Sequence, residues 1–431
     1  GGRGLVAPCA GWSHICHPRK LGAVGAGLAT GGPRRMIGAC VVVPGWLGRR
    51  PLAAERAGDE RGMPWRHETG SADRTIGPLV LSEYSIPMAF DRSFIGPGSL
   101  ANLVPALWRQ QVEDWPRLRE ALDGLRKVRT RSFRLGLSTV VVQYNPGREV
   151  SSAAKVDAAS LAARPCFLCK DNLPKSQCGI VYRKDWLILC NPAPIFEPHF
   201  TISSMTHQPQ SVQVAAPVML DLARDLDGHY TIFYNGPSSG ASAPDHLHLQ
   251  AAPVALLPHE KELVRNICCG RTAESPGWID WVHCEPVRIG VSRPGHRSAI
   301  FLMSRSRDEL LSALEWVLEV LAEVRPARPE PMLNLFVGYA DNCWTVWLYP
   351  RAAHRPSFYG LGPDEFLISP GAVDVAGLLI LPRGTDFERI NEEIITRVYE
   401  EVLMSPGDLL RVRFKLAHSE RVGGNGVRRS C

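Results

Sequence analysis

The sequence predicts an α+β protein, and two observations carry that expectation. From about residue 100 onward, short β-rich runs bounded by Asn, Pro and Gly alternate with stretches of helical periodicity. The alternation recurs in similar form in both halves, which points to a duplicated α+β unit although no sequence repeat is visible. A chain of 431 residues can bury a substantial core, and 45% apolar with 21% charged residues suits a globular protein.

The elements follow in order. Residues 1–90 are rich in Gly, Arg, Ala and Pro, show neither periodicity, and are expected to form a disordered N-terminal extension, with Met63 as a candidate native start. Leu107, Trp108, Val112, Trp115, Leu118, Leu122 and Leu125 have helical spacing, interrupted at Pro116. Residues 138–144 (STVVVQY) read as a strand stopped by Asn145-Pro146-Gly147. A strand pair is expected at 186–190 and 199–203, then a helix over 217–226 with Pro217 at its first position. A strand over 230–234, a loop over 235–242 and a second strand carrying His246 and His248 complete the first unit, assigned to 91–260. The second, 261–410, takes a helix over 309–324, strands at 333–337 and 343–349, an apolar run at 376–381 and one helix over 386–403. Residues 411–431 are expected to be a flexible basic tail.

Composition excludes several functions. A formal charge of +6 is modest, and no Lys/Arg run interleaved with aromatics suggests a nucleic-acid partner. No window approaches the roughly 18–20 consecutive apolar residues of a membrane span. The stretch 36–47 behind Arg34-Arg35 is short, holds Pro44 and Gly45, and makes a poor signal peptide. Twelve cysteines are scattered rather than arranged as a disulfide framework, so a reducing, cytoplasmic setting is expected.

The one tight pair, Cys166-Phe167-Leu168-Cys169, has the spacing of a tetrahedral metal site and needs two further ligands. His207, His199 and His246 are the candidates. In His246-Leu247-His248-Leu249-Gln250, strand alternation sets both histidines and Gln250 on one face and the leucines in the core. The preceding loop, Asn235-Gly236-Pro237-Ser238-Ser239-Gly240-Ala241-Ser242, lets backbone N–H groups approach phosphate oxygens. Either motif alone is more often a packing accident or a plain turn; their adjacency is what gives them weight.

CFLC, followed by NPAPIFEPHFTISSMTHQPQ and YNGPSSGASAPDHLHLQ, resembles the galactose-1-phosphate uridylyltransferase and diadenosine-tetraphosphate phosphorylase branch of the histidine-triad superfamily. More narrowly it resembles the bacterial family DUF4922. The resemblance spans roughly residues 100–405 and includes QYNPGREVSSAAKVD, LYPRAAHRPSFY and SPGAVDVAGLLILPR. It implies a histidine-triad-like antiparallel sheet with packed helices in two tandem halves. It also implies that His248 is a nucleophile forming a covalent His–NMP intermediate, with His246 supporting the site and joining Cys166, Cys169 and His207 (or His199) around a structural zinc. Gln250 stands where the hydrolase branch has a third histidine, which favours transfer to phosphate or a sugar phosphate over hydrolysis.

One departure from the family pattern concerns the loop. Ser242 and His246 are separated by three residues instead of the usual two, so the phosphate-loop hydroxyl falls at Ser242 or one position away, and Asp245 becomes a candidate to orient an imidazole. Asn235, Gly236, Ser238, Ser239, Gly240, Ser242, Lys155 and Arg351 are the expected nucleotide and phosphate contacts, with Arg148, Arg164 and Arg383 as further cations. The expected partners are a nucleotide or nucleotide-sugar and a phosphate-bearing acceptor, with no nucleic acid or membrane, and a homodimer is among the assemblies the resemblance allows. A hydrolase of the same nucleotides and a non-catalytic nucleotide- or zinc-binding protein are the alternatives.

Overall fold

The computed structural model describes residues 93–94 and 98–418, apart from 137, 155, 269–277 and 295–296. The expected extension at 1–90 and Lys155 lie outside the described residues. The fold is α+β, as expected, and no helix among the described residues is long and apolar enough to cross a membrane.

Two sheets organise the chain. The smaller joins β1 (Arg129–Leu135), β2 (Ser138–Tyr144) and β13 (Leu378–Leu381), the last parallel to β2. The larger is ten-stranded. Its first half contains β3 (Gly179–Tyr182), β4 (Trp186–Cys190), β5 (Phe200–Ser204), β6 (Tyr230–Asn235) and β7 (His248–Pro253). Its second half contains β8 (Ile279–His283), β9 (Arg288–Ser292), β10 (Ile300–Ser304), β11 (Leu333–Ala340) and β12 (Cys343–Pro350). The spatial order is β3-β4-β5-β7-β6-β11-β12-β10-β9-β8, with antiparallel pairing throughout. Read inward from either edge, each half is a three-strand meander followed by its fifth strand and then its fourth. The halves meet where β6 pairs with β11, Asn235 opposite Asn334 and Phe233 opposite Phe336.

Both faces of this sheet are buried, so its central strands are almost wholly apolar rather than alternating with polar residues. One face packs on α1 (Leu100–Asp114), α2 (Pro116–Leu125), α3 (Val212–Asp225), α5 (Arg307–Val324) and α8 (Pro406–His418). The other packs on the small sheet, α4 (Pro258–Cys268), α6 (Gly384–Arg389) and α7 (Glu392–Val402). Alternation sorts the side chains: Ile232, Tyr234, Leu335 and Val337 enter the first core, and Phe233, Phe336, Trp347 and Tyr349 the second.

Four local expectations are corrected. The helix expected from 217 begins at Val212, with Pro217 inside it; burial of Val212, Ala215 and Ala216 extends the apolar stripe past the missing N–H. Strand β7 starts at His248, so His246 precedes it. The helix expected over 386–403 is two helices, because Asn391 turns extended and caps the second by accepting from Ile394 N at 2.9 Å. The basic segment 411–418 is not frayed: α8 runs to His418 and buries Val412 and Leu416, while the rest of the expected tail lies outside the described residues. Replacing the cap, Asn391→Ala, should cost about 1 kcal/mol, read as a lower urea midpoint; an unchanged midpoint would show that packing alone fixes this break.

Candidate active site and metal centre

The site is assembled around the start of β7. The backbone of His248 is clamped by Gln210, which accepts from His248 N at 2.9 Å and donates to the carbonyls of Asn235 at 3.0 Å and His248 at 3.2 Å. Gln210 is buried, and nothing in the sequence had singled it out. Leu247 and Leu249 point into the helix-side core, leaving His248 and Gln250 on the opposite face.

Backbone groups fix the tautomer of each nearby histidine. His246 Nε2 lies 2.8 Å from the Ser204 carbonyl, so it carries the proton and Nδ1 keeps its lone pair. His248 Nδ1 lies 2.8 Å from the His246 carbonyl, so here Nδ1 carries the proton and Nε2 is left as a lone pair with no protein partner. The two rings thus have opposite free nitrogens. Burial holds His248 down at about 4, against the bond to the His246 carbonyl, which favours the charged ring. A neutral imidazole with an exposed lone pair is a nucleophile at neutral pH.

His199 supplies the third case. Its Nδ1 accepts from Ile195 N at 3.2 Å, so Nε2 donates to Gln250 Oε1 at 2.9 Å. Burial, with the Arg148 charge adding to it, holds this ring at about 3 and therefore neutral. The consequence falls on Gln250: its oxygen is committed to His199, and its amide NH2 remains as a donor. His199 is not a metal-ligand candidate in this arrangement, which resolves the choice between His199 and His207.

Cys166, Cys169, His207 and His246 form a cluster whose ligand atoms all lie within 4.8 Å of one another. His246 Nδ1 is 3.2 Å from Cys166 Sγ and 3.6 Å from Cys169 Sγ, and His207 Nδ1 is 3.3 Å from Cys169 Sγ. Tetrahedral bonds of about 2.3 Å to sulfur and 2.0 Å to nitrogen give S···N edges of about 3.5 Å. The donor set therefore fits a metal ion. Burial opposes the Cys166 thiolate, yet the adjoining His246 ring and then the Leu168 and Cys169 amides hold it at about 6. Burial, then the neighbouring Cys166, pushes Cys169 up to about 11, the repulsion a bound cation would relieve. Asp245 reaches toward this side, 3.8 Å from His207 Nε2 and 3.7 Å from Arg164, and not toward His248.

A cleft opens beside Gln250, lined also by Asn235, Gly240, Ala241, Ser242 and residues of the segments 148–156 and 354–374. Gly236, Ser238 and Ser239 of the expected phosphate loop do not line it, and Ser239 is fully buried. The loop is held from the second half of the sheet. Asn334 Nδ2 donates to Asn235 Oδ1 at 2.9 Å and to the Ser239 carbonyl at 2.6 Å, and Ala372 N donates to the same Oδ1 at 2.7 Å. Gly240 has φ +94°, and a Cβ there would lie 2.5 Å from Gly371 Cα, so no other residue fits.

Arg351 needs correction. It is buried, and its guanidinium donates to Asn334 Oδ1 at 2.8 Å and to the carbonyls of Val402, Pro370, Ala353 and His354. It positions Asn334 and through it the loop, with nothing left for a phosphate. Arg383 is likewise committed, to Asp386 and three carbonyls. Arg164 donates to the Ser242 carbonyl at 3.0 Å, behind the loop. Arg148 and Arg355 do line the cleft, and the latter was not foreseen.

Residues 107–253 match a family model described as a domain of unknown function, DUF4922. The match covers less than half of the chain. It contains the whole Cys/His cluster, His248, Gln250 and the Gly/Ser loop. No curated protein matches the chain in sequence. Among solved structures, yeast Ap4A phosphorylase Apa2 in complex with Ap4A is similar at 13% identity and TM-score 0.44, covering 70% of this chain and 98% of that one. A uridylyltransferase is similar at 11% identity and TM-score 0.31, covering 55% and 86%. A DUF4931 family protein from Bacillus cereus gives 12% and 0.28, covering 42% and 84%. At these identities and scores, function has to be read from the chemistry of the site itself.

Two outcomes test the site. Elemental analysis of the purified protein should find about one metal ion per chain, falling toward zero in the Cys166→Ser, Cys169→Ser double variant; undiminished metal in that variant would sink the assignment. Arg351→Met should destabilise by about 2–4 kcal/mol, measured by denaturant titration. Wild-type stability would mean the five-acceptor cage is dispensable.

Proposed function

We propose that the chain is a nucleotidyltransferase of the phosphorylase type, moving an NMP group from an NDP-sugar or dinucleoside polyphosphate to phosphate or a sugar phosphate through His248. The observation that carries this reading is the bond from His248 Nδ1 to the His246 carbonyl, which leaves Nε2 unprotonated on the strand face it shares with Gln250, itself a wall of the cleft.

In the first step Nε2 attacks the α-phosphorus, an N–P bond forms, and the P–O bond to the leaving phosphate breaks with its electron pair. The ring becomes a phosphorylated imidazolium whose proton stays on Nδ1, hydrogen-bonded to the His246 carbonyl. Gln250 donates its NH2 to a non-bridging oxygen, as does backbone from the Asn235–Ser242 loop, stabilising charge where it develops. In the second step an acceptor oxygen attacks the same phosphorus and the ring leaves neutral. Absence of a histidine at Gln250 favours a phosphate-bearing acceptor over water.

Zinc, when bound by Cys166, Cys169, His207 and His246, would supply rigidity rather than Lewis acidity, tying the Cys loop to the start of β7. Holding His246 also holds the carbonyl that His248 uses. The same reading takes 91–260 as the catalytic half and 261–410 as a second, structurally related half that supports its loop through Asn334 and Arg351.

Incubation with α-32P-labelled ADP-, GDP- and UDP-sugars and diadenosine polyphosphates should give an acid-labile, alkali-stable label on the protein. His248→Ala should lower labelling by about 10³-fold or more, whereas Cys169→Ser should retain some. A label that survives in His248→Ala, or none from any of these donors in wild type, overturns the covalent mechanism.

A further inference from the structure

The cleft beside Gln250 carries cationic charge that the fold does not use. Arg148 donates Nη1 to the Ala193 carbonyl at 2.8 Å, and its Nε and Nη2 have no protein acceptor. Arg355 donates Nε to Ser369 Oγ at 2.9 Å and Nη2 to the Ala154 carbonyl at 2.9 Å, and it lies over the Tyr359 ring, 4.1 Å from its centroid. Its Nη1 has no protein acceptor. Among the described residues, neither guanidinium forms an ion pair. The contrast with Arg351, caged by five acceptors, and Arg383, paired with Asp386, is sharp.

Of the other titratable groups of the cleft, Asp374 is a counter-charge to Arg148 and Arg351 but takes no hydrogen bond from Arg148 or Arg355. Asp374 receives Gly371 N and Ile380 N on its two oxygens, each at 2.8 Å, and burial pushes it up to about 6. His354 is held at about 4 by burial and then by the charges of Arg355 and Arg351, so it is neutral. With that one carboxylate shared between Arg148 and Arg351, the two half-buried guanidiniums keep positive charge and unused donors that an anion can meet. The walls here also offer the hydroxyls of Ser152 and Ser242.

We propose that Arg148 and Arg355 form the phosphate subsite of this cleft, taking the phosphoryl group that leaves in the first step and the phosphate or phosphomonoester that attacks in the second. One site serves both because the two half-reactions traverse the same histidine in opposite directions. The assignment rests on the reading of His248 given above and sharpens it: the acceptor is an anion, selected over water by charge. The planar forks suit phosphate oxygens, and the bond from Arg355 to Ala154 ties the 148–156 segment to the 354–355 loop across the subsite.

Two measurements separate this inference from the reading beneath it. In the first, the free protein is titrated calorimetrically with inorganic phosphate and pyrophosphate. Wild type and His248→Ala should bind alike, Arg148→Met and Arg355→Met should bind at least tenfold more weakly, and Arg→Lys at either position should recover part of the loss. In the second, protein carrying labelled NMP is discharged with inorganic phosphate or with hexose 1-phosphates. Acceleration by either supports the subsite, and the Met variants should raise the half-saturating acceptor concentration at least tenfold. Should a Met variant fail to fold, phosphate ought to protect both arginines of wild type from dicarbonyl modification, against a chloride control of equal ionic strength. Unchanged phosphate affinity in both folded Met variants, discharge that no phosphate compound accelerates, or absence of protection overturns the subsite. No label in wild type instead removes the His248 reading and leaves the titration to judge the arginine pair.

Discussion

The hydrogen bond from His248 Nδ1 to the carbonyl of His246 is the constraint on which the rest of the site depends. It decides which nitrogen keeps the lone pair. The carbonyl stays in place because the residue bearing it is itself held, by Ser204 on one side and the cysteine cluster on the other. In the proposed function, the candidate metal-ligating side chain and the backbone that orients the nucleophile are thus two parts of one residue. Neighbouring histidines with opposite free nitrogens can then do different chemistry two positions apart.

The second half of the sheet contributes by support. Where β6 meets β11, Asn334 bridges to Asn235 and Ser239, and Arg351 fills the remaining capacity of Asn334. The Asn235–Ser242 loop is held largely from outside itself. Its geometry is imposed from a strand some hundred residues later, through side chains sealed from water, where each hydrogen bond is hard to replace. The requirement at Gly240, pressed against Gly371, belongs to the same junction.

Much of this was legible in residue spacing. The runs at Trp186–Cys190 and Cys343–Pro350 declared themselves because strands buried on both faces are nearly all apolar, and Ser138–Tyr144 did so through its β-branched residues. Pro116 marked the break between α1 and α2. Other boundaries were not legible. The helix at Val212–Asp225 tolerates Pro217 because packing outweighs one lost hydrogen bond, and the stop at Asn391 is a cap that periodicity alone runs through. Cys166, Cys169, His207 and His246 were readable as a set, but choosing His207 over His199 required knowing where β5 ends.

By itself the sequence determined the residue types at the site: a Cys-x-x-Cys pair, a His-x-His-x-Gln run and a loop of glycine and serine. Local chemistry and period-two alternation are enough for that, since they act within a few residues. Only the tertiary structure decided which cations are free. Arg351 looked as available as Arg148, yet one lies among carbonyls and the other keeps two donors unclaimed. Whether a charged side chain is occupied depends on acceptors brought from distant segments, and spacing along the chain carries no record of them.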